Sequence, residues 1–332
     1  MTVALATLTP RDRALALIRT YGHDTVSFQG LEPGYRYFFD GDDAVVAFVD
    51  TGGAWVGAGG PSAPPERLAE VAERFGEAAV AQRRRACFFA AEQALVASGV
   101  PSLLIGEQPV WNVARWGEVL AGAASLRYQL GRARHKGVTV RRLALDELAP
   151  GARIREAIDE LGRHWQATHR MPPMQFLVQL EPLNYAHERI VLVAERGGAL
   201  VGLSSVVPVY ARDRMFLEDL VRSPSAPNGT AELLVDAVMR GVETREVTLG
   251  LAPLAGEVAR WLRFARWAGG ALYDFEGLRA FKAKLRPHAW EPVYLCAAHG
   301  GSRLVALRDS LRAFAGGSLV GFASRSLFRR RR

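Results

Sequence analysis

The stretch from Leu217 to Thr230, with the apolar-periodic run Ala231 to Met239 behind it, limits the possible folds more than any other part of the chain. Asp219 and Arg222 stand near the end of a strand, and the turn Pro227, Asn228, Gly229, Thr230 then opens a helix. Such a turn supplies a flexible glycine, a hydroxyl N-cap and unpaired helix-start amides that favour an anion. A strand that runs through an anion-friendly turn into a helix suits a group-transfer site. The alternative at this segment alone is an ordinary capped helix.

The same alternation runs through the whole chain. Helical periodicity spans Arg11 to Arg19. Strands are expected at Tyr35 to Asp40, Ala44 to Asp50 and Ala54 to Gly57, with turns at Asp40-Gly41-Asp42 and Thr51-Gly52-Gly53. Pro65 to Gln82 reads as an amphipathic helix with Leu68, Val71, Phe75 and Ala79 on one face. Ala86 to Ala90 is a short strand, a helix continues to Ser98, and Leu103 to Glu107 is a strand again. Gly137 can end a helix, and Val138 to Leu145 is the next strand. The second half repeats the order. A helix at Arg153 to Ala167 is followed by strands at Ile190 to Glu195, Ala199 to Tyr210 and Arg214 to Val221. Then come a helix from Thr230 to Gly241, a strand from Val247 to Leu249 and a helix from Glu257 to Ala268. Alternation of this kind predicts an α/β fold with a mixed central sheet in each of two domains, 1–137 and 138–316, and a basic tail, 317–332.

Further motifs follow the opening segment: Thr248, Gly250, Pro253 and Leu254; then Gly277, Leu278, Phe281, Lys282, Lys284 and Pro287; then Trp290, Pro292 and Tyr294. In this order and approximate spacing the chain resembles the C-terminal catalytic domain of lysylphosphatidylglycerol synthetases (phosphatidylglycerol lysyltransferases). The resemblance runs from about Tyr21 to Cys296 and is strongest after Phe216. It implies two tandem acetyltransferase-like (GNAT-like) domains, and transfer of an aminoacyl group from aminoacyl-tRNA to a lipid hydroxyl. It also implies a stand-alone form, without the membrane flippase domain that many family members carry. Two positions depart from the family pattern. No acid follows Trp165 before Phe176, which leaves the amino acid open, and Glu232 stands where Asp is common.

Acyl transfer from an ester needs an oriented carbonyl, a deprotonatable acceptor and stabilisation of the oxyanion. The donor's ammonium calls for carboxylates, and Asp219 and Glu232 are the candidates. On a regular strand Glu218 would face away from Asp219. Arg222 suits a phosphodiester, since a guanidinium can grip two phosphate oxygens; a salt bridge to Asp219 is its structural alternative. The expected catalytic set is Asp219, Arg222 and Lys282, with Asn228, Gly229, Thr230, Glu232, Lys284 and Tyr294 binding substrate. A solvated helix face is the alternative for Lys282 and Lys284. Arg127, Arg132, Arg134 and Lys136 are candidate contacts for the tRNA backbone, or simply an exposed helix. His23, His164, His169 and His187 are scattered, and there is no Gly-x-Ser-x-Gly elbow, so direct attack by the acceptor is expected. Pro224 and Pro227 remove amide donors from the loop where coenzyme A binders cradle pyrophosphate, which argues against coenzyme A. A coenzyme A-dependent N-acyltransferase and a non-catalytic lipid-binding relative remain the competing readings.

The formal net charge is +8, and Arg325 and Arg329 to Arg332 crowd the tail. A basic tail attracts anionic lipid or RNA, or only keeps the chain in solution. The hydrophobic share of 49% is enough for real cores, and no stretch is long and apolar enough to span a bilayer. Cys87 and Cys296 lie in apolar surroundings, where buried thiols are expected. Neither a metal nor DNA is expected as a partner. The expected partners are aminoacyl-tRNA and an anionic membrane lipid, met from the cytoplasmic side by a peripheral protein that needs no cofactor.

Overall fold

The computed structural model describes residues 8–168, 174–259 and 275–318. Helix α1 (Pro10–Tyr21) is capped by Thr9, whose hydroxyl accepts the Asp12 amide. Proline at its first position loses no intrahelical hydrogen bond. Strands β1 (Arg36–Phe39), β2 (Val45–Asp50) and β3 (Ala54–Ala58) form an antiparallel meander. Helix α2 (Leu68–Ala81) buries the expected face, Leu68, Val71, Phe75 and Ala79, and delivers the chain to β4 (Arg85–Ala91), parallel to β3. Helix α3 (Gln93–Ala97) leads into β5 (Ser102–Asn112).

After α4 (Trp116–Gly122) and α5 (Ala124–His135) the plan recurs. Strand β6 (Val138–Arg142) is followed by helix α6 (Arg153–Thr168). Strands β7 (Ile190–Arg196), β8 (Ala199–Val209) and β9 (Arg214–Arg222) then continue an antiparallel meander from β6. Helix α7 (Thr230–Gly241) crosses to β10 (Glu246–Thr248), parallel to β9. Each half is thus a meander, a crossover helix and one parallel strand. The chain continues through β11 (Ala252–Pro253), α8 (Phe275–Lys284), β12 (Ala289–Ala297) and α9 (Arg303–Phe314).

All strands join one mixed sheet in the order β1-β2-β3-β4-β12-β5-β10-β9-β8-β7-β6, with β11 on β5. The last strands of the two halves are exchanged. β5 pairs with β10 of the second half, and β12 lies between β4 and β5 of the first. A division at residue 137 therefore separates the sequence but not the sheet. Pro292 is tolerated inside β12 because residues 289–293 pair with β5 alone, and pairing to β4 begins only at Tyr294. Along β3, Trp55 packs with Phe75 while Ala54 and Val56 pack with Phe176 and Ala313, so both faces of the sheet are covered.

The periodicity at Glu257 to Ala268 gives no helix over residues 257–259, and the rest of that expected helix lies outside the described residues. So do the N-terminal residues 1–7, His169, and residues 319–332 of the tail. Cys87 and Cys296 are free and buried. Helix α1 joins Val45 of β2 to Val207 and Val209 of β8 and Phe216 of β9 in a single cluster. Strands far apart in sheet order thus meet across α1 and the 3-10 turn Phe28–Leu31. This fold carries Glu32, the residue after that turn, to the second half.

Candidate functional site

The pairing of β8 with β9 slips at one point. Ser205 is opposite Asp219 and Val206 is opposite Leu217, so Glu218 is an extra residue in the ladder. A bulge of this kind bends the strand and re-aims its side chains. The expectation that Glu218 faces away from Asp219 is therefore corrected: both carboxylates act on Arg189, whose side chain is fully buried. Arg189 Nη1 donates to Ser205 Oγ at 3.0 Å and also to Glu218, and its Nε donates to the Asn184 carbonyl at 2.5 Å. Its Nη2 lies 3.5 Å from Glu32 Oε1, and the guanidinium sits 5.2 Å from the Phe28 ring centre. Burial alone would weaken this cation; the charges of Glu218, Asp219 and Glu32 more than restore it.

Three acids thus share one guanidinium. Burial, reinforced by Glu218, holds the Asp219 carboxyl well above its ordinary range, against the pull of Arg189. Burial and Glu218 do the same to Glu32. Among the described residues Glu32 Oε2, Glu218 Oε1, Asp219 Oδ2 and the Tyr35 hydroxyl are buried without a hydrogen-bond partner. Such orphan groups are uncommon in folded proteins and ask for a ligand, an ion or water. No group of three or more His, Cys, Asp or Glu side chains among the described residues is arranged to hold a metal ion. Glu32 and Tyr35 also line a cleft of about 440 Å³ beside Thr9, Arg11 and Tyr37.

Arg222 is exposed at the end of β9 and makes no ion pair among the described residues, so the alternative reading, a bridge to Asp219, does not form. The turn after it also departs from expectation. Gly229, at φ +95°, is the N-cap, and Thr230 is the first helical residue. The Thr230 hydroxyl caps no amide; it is buried and donates to the Pro227 carbonyl at 2.7 Å. A side chain at Gly229 would collide with the Gln129 carbonyl of α5, so this glycine permits close helix packing. Asn228 is exposed. Glu232 and Lys284 meet at 2.7 Å, joining α7 to α8.

Lys282 is buried, and among the described residues it pairs with no acid. Its Nζ donates to the carbonyls of Gly250 at 2.8 Å and Leu251 at 2.9 Å. Gly250 adopts φ +66° against the Phe216 ring, which shapes the turn that receives the lysine. Burial lowers the Lys282 ammonium to about 7, so the amine can exchange a proton near neutrality. Tyr294 donates to Gln93 at 3.2 Å on β12, three strands from β9 in the sheet order and so about 14 Å away by strand spacing. The basic residues of α5 divide. Arg127 caps the α4 carbonyls of Leu120 and Ala121, and Arg134 pairs with buried Asp236 at 2.8 Å. Lys136 is exposed and Arg132 half-buried, each with its charge unpaired among the described residues.

Sequence reasoning missed Glu32, Tyr35 and Arg189. Nothing local distinguishes a buried arginine in a chain so rich in arginine, and Glu32 gains meaning only when α1 closes the halves together. The single available sign was a lone acid after the segment Phe28-Gln-Gly-Leu31.

A mixed α/β sheet with exchanged strands around a buried, ligand-seeking carboxylate set defines a binding or group-transfer domain. The chain belongs to the family described as phosphatidylglycerol lysyltransferase, C-terminal, whose sequence model matches residues 15–297. It is 27% identical over 223 residues to the lysylphosphatidylglycerol biosynthesis bifunctional protein LysX of Mycobacterium avium, covering 60% of this chain and 18% of that protein. The corresponding protein of Mycolicibacterium vanbaalenii is 27% identical over 258 residues, covering 70% of this chain and 22% of its own length. The chain therefore spans about a fifth of these curated relatives. Among solved structures, the C-terminal domain of a protein assigned as a lysylphosphatidylglycerol synthetase from Agrobacterium fabrum superposes with a TM-score of 0.77 at 23% identity. That match covers 93% of this chain and 98% of the other. L-PGS from Bacillus licheniformis gives 0.76 at 20% identity, covering 92% and 95%. These likenesses establish the fold.

Proposed function

We propose that this chain transfers an aminoacyl group from aminoacyl-tRNA to a hydroxyl of phosphatidylglycerol or a related lipid, as a peripheral protein on the cytoplasmic membrane face. The observation that carries this reading, within a lysyltransferase family, is the carboxylate set around Arg189, three acids with a bare oxygen each. An aminoacyl ester is cationic at its α-amine and supplies the missing N–H donors. The ester is already activated, so no cofactor is needed. The lipid hydroxyl attacks the ester carbonyl, the carbon–oxygen bond to the tRNA ribose breaks, and the hydroxyl proton ends on the ribose oxygen.

Asp219 holds the donor's ammonium. Lys282, near neutrality in its pKa and with one N–H to spare beyond its two carbonyl partners, moves the proton or steadies the oxyanion. Arg222, exposed and unpaired, receives a phosphodiester, and Asn228 lies exposed beside it at the start of α7. Gly229, Thr230, Glu232 and Lys284 act through the shape of that helix start. Tyr294 stands apart from this group. Arg132 and Lys136 are the α5 cations free to meet a tRNA backbone, because Arg127 and Arg134 are tied within the fold. No helix among the described residues is long and apolar enough to cross a membrane.

The test incubates the protein with single charged tRNAs and lipid extracts and looks for lipid carrying an amino acid. A product with one charged tRNA is expected. Lipid binding without turnover on every charged tRNA would replace this reading with a non-catalytic relative. Stoichiometric acetyl-CoA binding would replace it with an N-acyltransferase.

A further inference from the structure

Helix α9 presents its leucines to solvent. Its buried positions are small or polar, Ala306, Asp309, Ser310 and Ala313, while Leu304 is 63% exposed and Leu311 49%. The two leucines are seven residues apart, two turns along one side of the helix, and Arg308 stands between them on the same stripe. Seven large apolar side chains are exposed among the described residues. Three of them, Val178, Leu304 and Leu311, belong to α9 or to the 3-10 turn Phe176–Val178 that packs on it. Apolar residues scattered singly over a surface are ordinary; a group of this kind marks an interaction site.

The charges of α9 have one sign toward solvent. Its one acid, Asp309, is 1% exposed and is held by Arg85 of β4 at 2.7 Å. The exposed side chain of Arg308 reaches the same acid only at 3.5 Å. Arg303 and Arg312 meet no acid among the described residues and donate to the carbonyls of Ser102 at 3.2 Å and Gly317 at 3.3 Å. The helix also ends beside the candidate site. The Phe314 ring lies 5.3 Å from that of Phe176, and Phe176 lies 5.8 Å from Tyr35, which lines the cleft with Glu32.

We propose that the outer face of α9, with Leu304, Arg308 and Leu311 flanked by Arg303 and Arg312, is the surface by which this chain docks on an anionic lipid bilayer. This rests on the reading above that the acceptor is a membrane lipid, and it names the element that meets the membrane. A helix lying in the interface places aliphatic side chains at the acyl boundary while guanidiniums reach back to headgroup phosphates. Leucines flanked by arginines, with the only acid of the helix turned inward, have that composition. An RNA strand would be served by aromatic rings on which bases stack, and the exposed apolar residues of α9 are aliphatic. A second copy of the same face would oppose arginine to arginine. Helix α5, which carries the proposed tRNA contacts, packs in a different core cluster from α9, so the two faces do not compete for one partner. Docking through α9 holds the cleft wall at Tyr35 close to the bilayer.

Sedimentation of the full chain with vesicles of phosphatidylcholine alone, or of phosphatidylcholine mixed with phosphatidylglycerol, decides the matter. The native chain should bind the mixed vesicles, and bind them less well as salt is raised. Leu304→Ser combined with Leu311→Ser should weaken that binding at least about tenfold at an unchanged melting temperature, since both side chains leave only solvent. Arg308→Glu should weaken it by a similar factor at low salt. Native binding that ignores phosphatidylglycerol, or full binding by the leucine variant, would overturn the proposal. Loss of tRNA binding in the leucine variant with vesicle binding intact would assign the face to RNA. A native dimer that the leucine variant splits, again with vesicle binding intact, would assign it to a second copy; either result overturns the proposal. Should the leucine variant not fold, Arg308→Glu decides by the same comparison. If no charged tRNA is a donor, the transfer reading fails, while the vesicle comparison, made without tRNA, still decides the docking face.

Discussion

Asp219 and Arg222 are three residues apart yet occupy different surroundings, one buried and one in solvent. Arg222→Ala should therefore lower transfer about 30- to 1000-fold, the loss of roughly 2–4 kcal/mol at a transition state, with little change in melting temperature. Asp219→Asn should lower transfer to a similar degree and act differently on stability. Burial and Glu218 raise the folded carboxyl above its ordinary value of 3.8, so the folded state holds the proton more tightly than the unfolded chain. The stability linked to this group is complete below about pH 4 and is lost as pH rises through the folded value. Asn cannot ionise, so thermal melts across pH should show a flatter decline for Asp219→Asn. An unfolded Asp219→Asn would show that the residue is structural. The sequence singled out Asp219 and Lys282 as candidates because each belongs to a spaced motif. It left Glu32 and Arg189 illegible, because their partners lie 157 or more residues off in one case and on separate elements in the other.

Within single elements, periodicity served well where one face is buried. Helix α2 has the buried face that its apolar spacing predicts, within the expected Pro65 to Gln82 but starting at Leu68 after a 3-10 turn, and α7 runs over the predicted Thr230–Gly241. It failed where the partner strand decides. The Glu218 bulge exists only in register with β8, and β12 was hidden by Pro292, whose missing donor costs nothing on an unpaired side. The turn before α7 shows another limit. Its sequence reads as an anion cradle, but Gly229 is fixed by the approach of α5. Gly229→Ala should force both a left-handed alanine and a collision with the Gln129 carbonyl, costing about 2–4 kcal/mol. A small change in denaturation midpoint would show that α5 can yield at this contact.

At the scale of the molecule, the exchanged strands make the halves depend on each other. Arg214, fully buried, donates to Glu246 of β10 at 2.6 Å and to both oxygens of Glu291 of β12 at 2.7 Å, tying three strands together. Arg214→Met removes the buried partner of two carboxylates, leaving Glu291 to Arg212 at 3.1 Å and Glu246 to Arg245 at 4.0 Å. Because Glu246 and Glu291 keep some solvent contact, the cost should sit at the low end for such pairs, about 3 kcal/mol. Calorimetry should also show one unfolding transition for the native chain. Two separate transitions would mean that the halves fold independently despite the shared sheet. Two α/β units were legible from the alternation of elements. Their interlocking was not, because strand order depends on contacts between residues far apart in sequence.

The position of β12 has a consequence during synthesis. Residues 85–112 leave the ribosome early, but the strand that must lie between β4 and β5 is made last, at residues 289–297. At ~5–20 residues per second the nascent chain waits about ten to forty seconds with two strand edges open. Through that interval both edges are open to pairing with another strand, including one from a neighbouring copy on the same message.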